Sequence, residues 1–133
     1  MCTRRSAIVV AAGAIASFAT GAHAADHRAF VAAAFDMKEK AMRAGDQPYG
    51  AVVVRDNQIV GWGPSRVREL GEWVGHAERE AMRDAQRRLG PDLSDCVMYS
   101  SSRPCGACER AAAQAKLARM YHGPDATDAG APR

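Results

Sequence analysis

The chain has 133 residues, of which 47% are hydrophobic, 25% charged and only 6% aromatic. That length accommodates one domain, and the composition excludes a disordered, collagenous or disulfide-scaffold chain. No apolar run reaches the roughly 18 residues that a membrane-spanning helix needs, and 18 Lys and Arg are interleaved with 15 Asp and Glu rather than gathered into a basic stripe.

The first segment reads as an address rather than as fold. Arg4-Arg5 precedes an uncharged stretch from Ala7 to Ala19, and small residues in Ala22-His23-Ala24 follow. A basic start, an apolar middle and small residues at a cut site are the layout of a secretory signal, here residues 1–24 with cleavage between Ala24 and Ala25. Thr3-Arg4-Arg5-Ser6 is also similar to a twin-arginine signal. The expectation is an exported protein, periplasmic or secreted, with no membrane attachment once the signal is removed. Loss of Arg4 and Arg5 also removes most of the formal charge of +3, so no nucleic-acid partner is expected.

The mature domain is expected over residues 25–123. Phe30, Val31, Ala34, Phe35, Ala41 and Met42 recur at helical spacing between Asp26 and Ala44, and Gly45 stops the pattern. Tyr49–Val54 is a short apolar run rich in β-branched residues, as in a strand buried on both faces. Asp56-Asn57 forms a tight turn, and Gln58–Trp62 returns as the second arm of a hairpin. Gly63–Gly75 reads as a loop. Ala77, Ala81, Ala85 and Leu89 mark a helix ended by Gly90-Pro91. Cys96–Ser100 reads as a third strand, Cys105–Leu117 as an alanine-rich helix, and Ala118–His122 as a short fourth strand. Residues 124–133 offer nothing to bury and are expected to be a disordered tail. The order α-β-β-α-β-α-β predicts an α/β fold with helices packed on a mixed sheet.

The chemistry-bearing residues open two of these helices. Cys105 and Cys108 lie three apart at a helix start, so both sulfurs can point one way. The helix terminus favours the thiolate, the form that binds metal. His76 supplies an imidazole from a separate element. Zinc prefers four ligands, and a site with three protein ligands keeps a position for water. Glu78, two residues past His76, is placed to act on that water. Zinc brings a bound water's pKa toward about 7, so a carboxylate can take its proton and later return one to a departing amine.

His76-Ala77-Glu78 followed by Pro104-Cys105-Gly106-Ala107-Cys108 resembles the cytidine and deoxycytidylate deaminase superfamily, whose signature is H-x-E with P-C-x-x-C. The likeness runs from the Tyr49–Val54 strand to about Tyr121. It implies a three-layer helix–sheet–helix sandwich with a mixed sheet of about four strands. It also implies zinc held by His76, Cys105 and Cys108, with Glu78 as proton shuttle. Gln47-Pro48-Tyr49-Gly50-Ala51 resembles the family's P-F-G-A segment, which makes Ala51 a candidate substrate contact. Ser65 stands where many relatives carry an asparagine that holds a ribose or base. Tyr49 and Trp73 are candidates to stack on a base. Arg103 replaces the acid that usually precedes Pro-Cys. The activity implied is hydrolytic deamination of a small-molecule base, nucleoside or related amino-heterocycle with release of ammonia, by a homo-oligomer. Two other readings of the same residues stand beside it: a periplasmic thiol–disulfide redox protein using Cys105 and Cys108, and a zinc-bound, non-catalytic binding protein.

Overall fold

The computed structural model describes residues 24–133. Apart from its last residue, the expected signal segment lies outside the described residues. The elements in chain order are α1 (Ala24–Arg43), β1 (Gly50–Arg55), β2 (Gln58–Pro64), α2 (Val67–Leu70), α3 (Ala77–Leu89), β3 (Val97–Ser100), α4 (Gly106–Gln114), β4 (Arg119–His122) and β5 (Thr127–Gly130). The strands form one sheet in the order β2-β1-β3-β4-β5. Only β3 and β4 run parallel; the other neighbours are antiparallel.

Strand alternation divides the interior between two faces. Val52, Val54 and Tyr99 point to α1 and pack with Phe30 and Ala34. Ala51, Val53, Met98 and Met120 point the other way, onto Ala77, Ala81 and Ala85 of α3 and Ala112 of α4. The sheet is therefore covered on both sides, which makes the expected three-layer sandwich. It also explains why β1 is buried along most of its length. The hairpin turn is as read: Asp56 and Asn57 both take positive φ, 51° and 61°, as a two-residue turn matched to strand twist requires.

Three segments differ from expectation. Within the expected loop Gly63–Gly75, Val67–Leu70 coil into one helical turn, α2. The final helix ends at Gln114 rather than Leu117, because Lys116 adopts positive φ (66°) and Leu117 turns inward to the core. The largest difference is the tail. Residues 127–130 are not loose but form β5, an edge strand on β4. Arg119 ion-pairs with Asp128 across the two strands, and Ala126 packs against the α1-side core. An edge strand needs backbone partners more than apolar side chains, which is why Thr-Asp-Ala-Gly gave no warning.

The placement of α3 follows from small residues. A Cβ on Gly61 would lie 2.3 Å from the carbonyl oxygen of Ala81, and one on Gly63 only 2.2 Å from that of Ala77. The helix backbone rests directly on β2, and the methyls of Ala77, Ala81 and Ala85 fill the seam. The outer edge of β2 is closed by the same helix. Asp84 accepts a hydrogen bond from the Trp62 N–H at 2.9 Å and Arg88 donates to the Val60 carbonyl at 3.1 Å, while Pro64 has no N–H to offer. This leaves little for another strand to pair with.

Because α3 carries His76 at its head, its seat on β2 is also the seat of the site. Gly63→Ala should lower stability by about 1–3 kcal/mol, the usual penalty for forcing atoms into a packed seam. It should also weaken metal retention by lifting the helix start. Denaturant unfolding together with metal analysis of the purified variant checks both parts.

Candidate metal centre and active site

His76 is the residue before α3 and still has extended backbone geometry, with φ −58° and ψ 143°. Cys105 holds the equivalent position before α4, where its sulfur accepts the Cys108 N–H at 3.5 Å. Cys108 follows in the first turn. Two helix N-termini therefore converge, each bringing the partial positive charge of unsatisfied N–H groups toward the same point. The ligand atoms of His76, Cys105 and Cys108 all lie within 4.8 Å of one another. No other such cluster occurs among the described residues.

The donor set and spacing fit zinc. His76 Nδ1 lies 3.3 Å from Cys108 Sγ and 3.6 Å from Cys105 Sγ. Bonds of about 2.0–2.1 Å to nitrogen and 2.3 Å to sulfur, opened to a tetrahedral angle, separate the two donors by about 3.5 Å. The three cysteines of the described residues are all free; the third, Cys96, is buried in the core, where desolvation pushes its thiol up to about 11.

The two candidate ligand sulfurs sit in unlike surroundings. Burial pushes the Cys108 thiol far above its ordinary range, and the neighbouring charge of Glu78 adds to the effect. Burial opposes charge on Cys105 as well. There, hydrogen bonds from the Cys108 backbone and thiol and from His76 outweigh it, and the thiol is lowered. Burial likewise disfavours a charged His76, but hydrogen bonds with Glu72 and Cys105 carry its pKa above the usual value. Glu78 is 7% exposed. Its burial raises the carboxyl, against the opposing pull of its own backbone N–H and of His76.

A cavity of about 740 Å³ opens beside these groups, lined by Gln47, Pro48, Tyr49, Glu72, His76, Ala77, Glu78, Ser102, Arg103 and Cys105. That volume suits one small ring system with its substituents. The proposed ligands and Glu78 thus come together, and Tyr49 joins them on the wall. The other candidate substrate contacts do not. Ala51 is fully buried in the core behind Ala77. Ser65 is 3% exposed and turns its hydroxyl to Asp46 at 2.8 Å. Asp46 also accepts the Val67 and Arg68 N–H groups, so Ser65 belongs to a hub that ties two loops together. Trp73, 69% exposed, projects from the loop outside the cavity. Sequence reasoning missed Gln47, Glu72 and Ser102 as wall residues. Glu72 alone left a signal, a carboxylate four positions before the candidate metal-binding histidine.

Residues 24–123 match the family described as the cytidine and deoxycytidylate deaminase zinc-binding region. Guanine deaminase of Bacillus subtilis is 33% identical over 106 residues, which cover 78% of this chain and 68% of that enzyme. Its crystal structure superposes with a TM-score of 0.69 at 32% identity, over 73% of this chain and 63% of that one. A solved tRNA A34 deaminase gives a TM-score of 0.70 at 30% identity, over 73% of this chain and 75% of that one. The tRNA(Ile)-lysidine synthase of Deinococcus radiodurans is 38% identical over 100 residues, 74% of this chain but only 17% of that protein.

Protein purified without chelator should carry about one zinc per chain, and His76→Ala or Cys105→Ser should abolish that stoichiometry. The Cys108 thiol, held protonated by burial, must lose its proton to ligate. Zinc uptake should therefore release protons, and affinity should fall as pH drops from 8 to 6. Competition titrations in weakly buffered solution measure both.

Proposed function

The chain belongs to the cytidine and deoxycytidylate deaminase family, and on that basis we propose that it is a zinc-dependent aminohydrolase that removes an exocyclic amino group from a base, nucleoside or related amino-heterocycle. The observation that carries the reading is the buried carboxyl of Glu78 on the wall of the cavity that His76 and Cys105 also line. Bound zinc would supply Lewis acidity at that point and make a water molecule acidic near neutral pH. His76, Cys105 and Cys108 would hold it.

The protein's own work falls to Glu78 and the cavity wall. As the water oxygen attacks the amino-bearing ring carbon, the Glu78 carboxylate takes its proton. The same carboxyl then gives a proton to the amino nitrogen, the carbon–nitrogen bond breaks, and ammonia leaves with a ring carbonyl in its place. Burial suits both halves of that cycle, because a carboxyl with a raised pKa is a stronger base toward the water and holds the proton it takes until the amine can receive it. Tyr49, 43% exposed and lining the cavity with Pro48, offers a flat face against which a ring can lie.

A small-molecule substrate is favoured over a polynucleotide because the chain shows no basic stripe. The layout of residues 1–24 supports an exported enzyme, periplasmic or secreted. Assembly as a homo-oligomer is also part of this proposal, on family likeness. The zinc-bound scaffold without activity is the reading to beat. Zinc-loaded protein should release ammonia from at least one member of a panel of aminopurines, aminopyrimidines and their nucleosides. Glu78→Gln should cut that release by about 10²–10⁴-fold while zinc content stays unchanged. Silence across the panel by zinc-loaded protein, or an unimpaired Glu78 variant, would leave the scaffold reading in place.

A further inference from the structure

We propose that Glu72 is the positioning residue for the metal-binding histidine, accepting a hydrogen bond from His76 Nε2 so that Nδ1 stays aimed at the two sulfurs. A neutral imidazole has one nitrogen with a proton and one with a lone pair. Here the two are sorted by geometry. Nδ1 faces Cys108 Sγ at 3.3 Å and Cys105 Sγ at 3.6 Å, whereas Nε2 faces Glu72 Oε1 at 3.4 Å. Among the described residues Glu72 is the only partner of Nε2. A carboxylate there selects the tautomer that ligates through Nδ1, restrains the ring and makes its lone pair more basic.

The loop that presents Glu72 is pinned at the end next to the histidine. The Arg66 N–H donates to the Gly75 carbonyl at 2.8 Å, and Arg83 reaches the Val74 carbonyl at 2.5 Å. The buried carboxylate of Glu80 ties the two arginines together, pairing with Arg66 at 3.2 Å and also with Arg83. A Cβ on Gly75 would lie 2.5 Å from the Arg66 carbonyl carbon, so the loop rests against Arg66. Its other end turns at Gly71, where φ is 99° and where the N–H donates to the Val67 carbonyl at 2.8 Å and the carbonyl accepts the Gly75 N–H at 2.9 Å. The restraint thus comes from backbone hydrogen bonds and from two partly exposed arginines held by the buried Glu80, while Glu72 itself remains accessible to the cavity.

The inference rests on the zinc half of the proposed function and on no step of the deamination. Its test is zinc affinity, measured on the full chain by competition with a chromophoric chelator, with circular dichroism to confirm an unchanged fold. Glu72→Ala should weaken zinc binding by about 10–100-fold, the usual effect of removing a carboxylate behind a ligating histidine. Glu72→Gln retains an acceptor oxygen and should stay within a few-fold of the parent. Parental affinity in Glu72→Ala overturns the proposal, whether or not KM rises, and a Glu72→Gln as weak as Glu72→Ala overturns the hydrogen bond as its mechanism. Failure of the deaminase reading would leave these affinities as they are.

Discussion

The imidazole of His76 between two sulfurs is the arrangement on which the rest of the site depends. It is made by backbone, not by side-chain reach. His76 and Cys105 each occupy the last extended position before a helix, so neither has rotated into the helical ladder and both can face the gap between α3 and α4. The gap itself is set by the close seat of α3 on Gly61 and Gly63. Any bulk in that seam would move the histidine relative to the cysteines, because a helix shifts as a unit. Electrostatics then divides the labour. Hydrogen bonds outweigh burial at Cys105 and lower its thiol, whereas burial wins at Cys108 and raises it.

Much of the fold was legible because its strands and helices bury patterned faces. Val52 and Val54 alternate with Ala51 and Val53 across one strand, and the four-residue recurrence of Ala77, Ala81 and Ala85 declares the contact stripe of α3. What escaped was structure made without burial. β5 is held by backbone pairing, and by the Arg119–Asp128 contact, neither of which leaves an apolar pattern. The turn α2 has no buried residue at all; it exists because Asp46, distant in sequence, accepts the N–H groups of Val67 and Arg68.

The same division runs through the site. Metal ligands are drawn from a few residue types, so His76, Cys105 and Cys108 stood out as candidates, and the structure brings their ligand atoms within 4.8 Å of one another. A cavity wall is not so confined. Family resemblance made Ser65 a candidate substrate contact, yet its hydroxyl is spent on Asp46. The cavity wall is built instead with Gln47, Tyr49, Ser102 and Arg103. Arg103 is exposed and, among the described residues, makes no ion pair, so its guanidinium is available to a ligand. No local pattern could have shown that exchange, since it depends on a carboxylate nineteen positions away.

The lowered Cys105 and raised Cys108 are also what a dithiol oxidoreductase would display, with one thiolate to attack and one buried thiol to resolve. The cysteines alone therefore do not choose between redox and hydrolytic chemistry. Glu78 does. A carboxyl taken out of water without a partnering cation is destabilising, and among the described residues none of the ion pairs involves Glu78. Placed beside Cys108 it also raises that thiol further, which hinders thiolate formation and gives a redox cycle nothing in return. Beside three candidate metal ligands and the cavity, the same buried carboxyl would have, under the proposed function, a task suited to its raised pKa, the movement of one proton from water to a departing amine. The unfavourable burial of Glu78 is thus the feature that a hydrolytic reading explains and a redox reading does not.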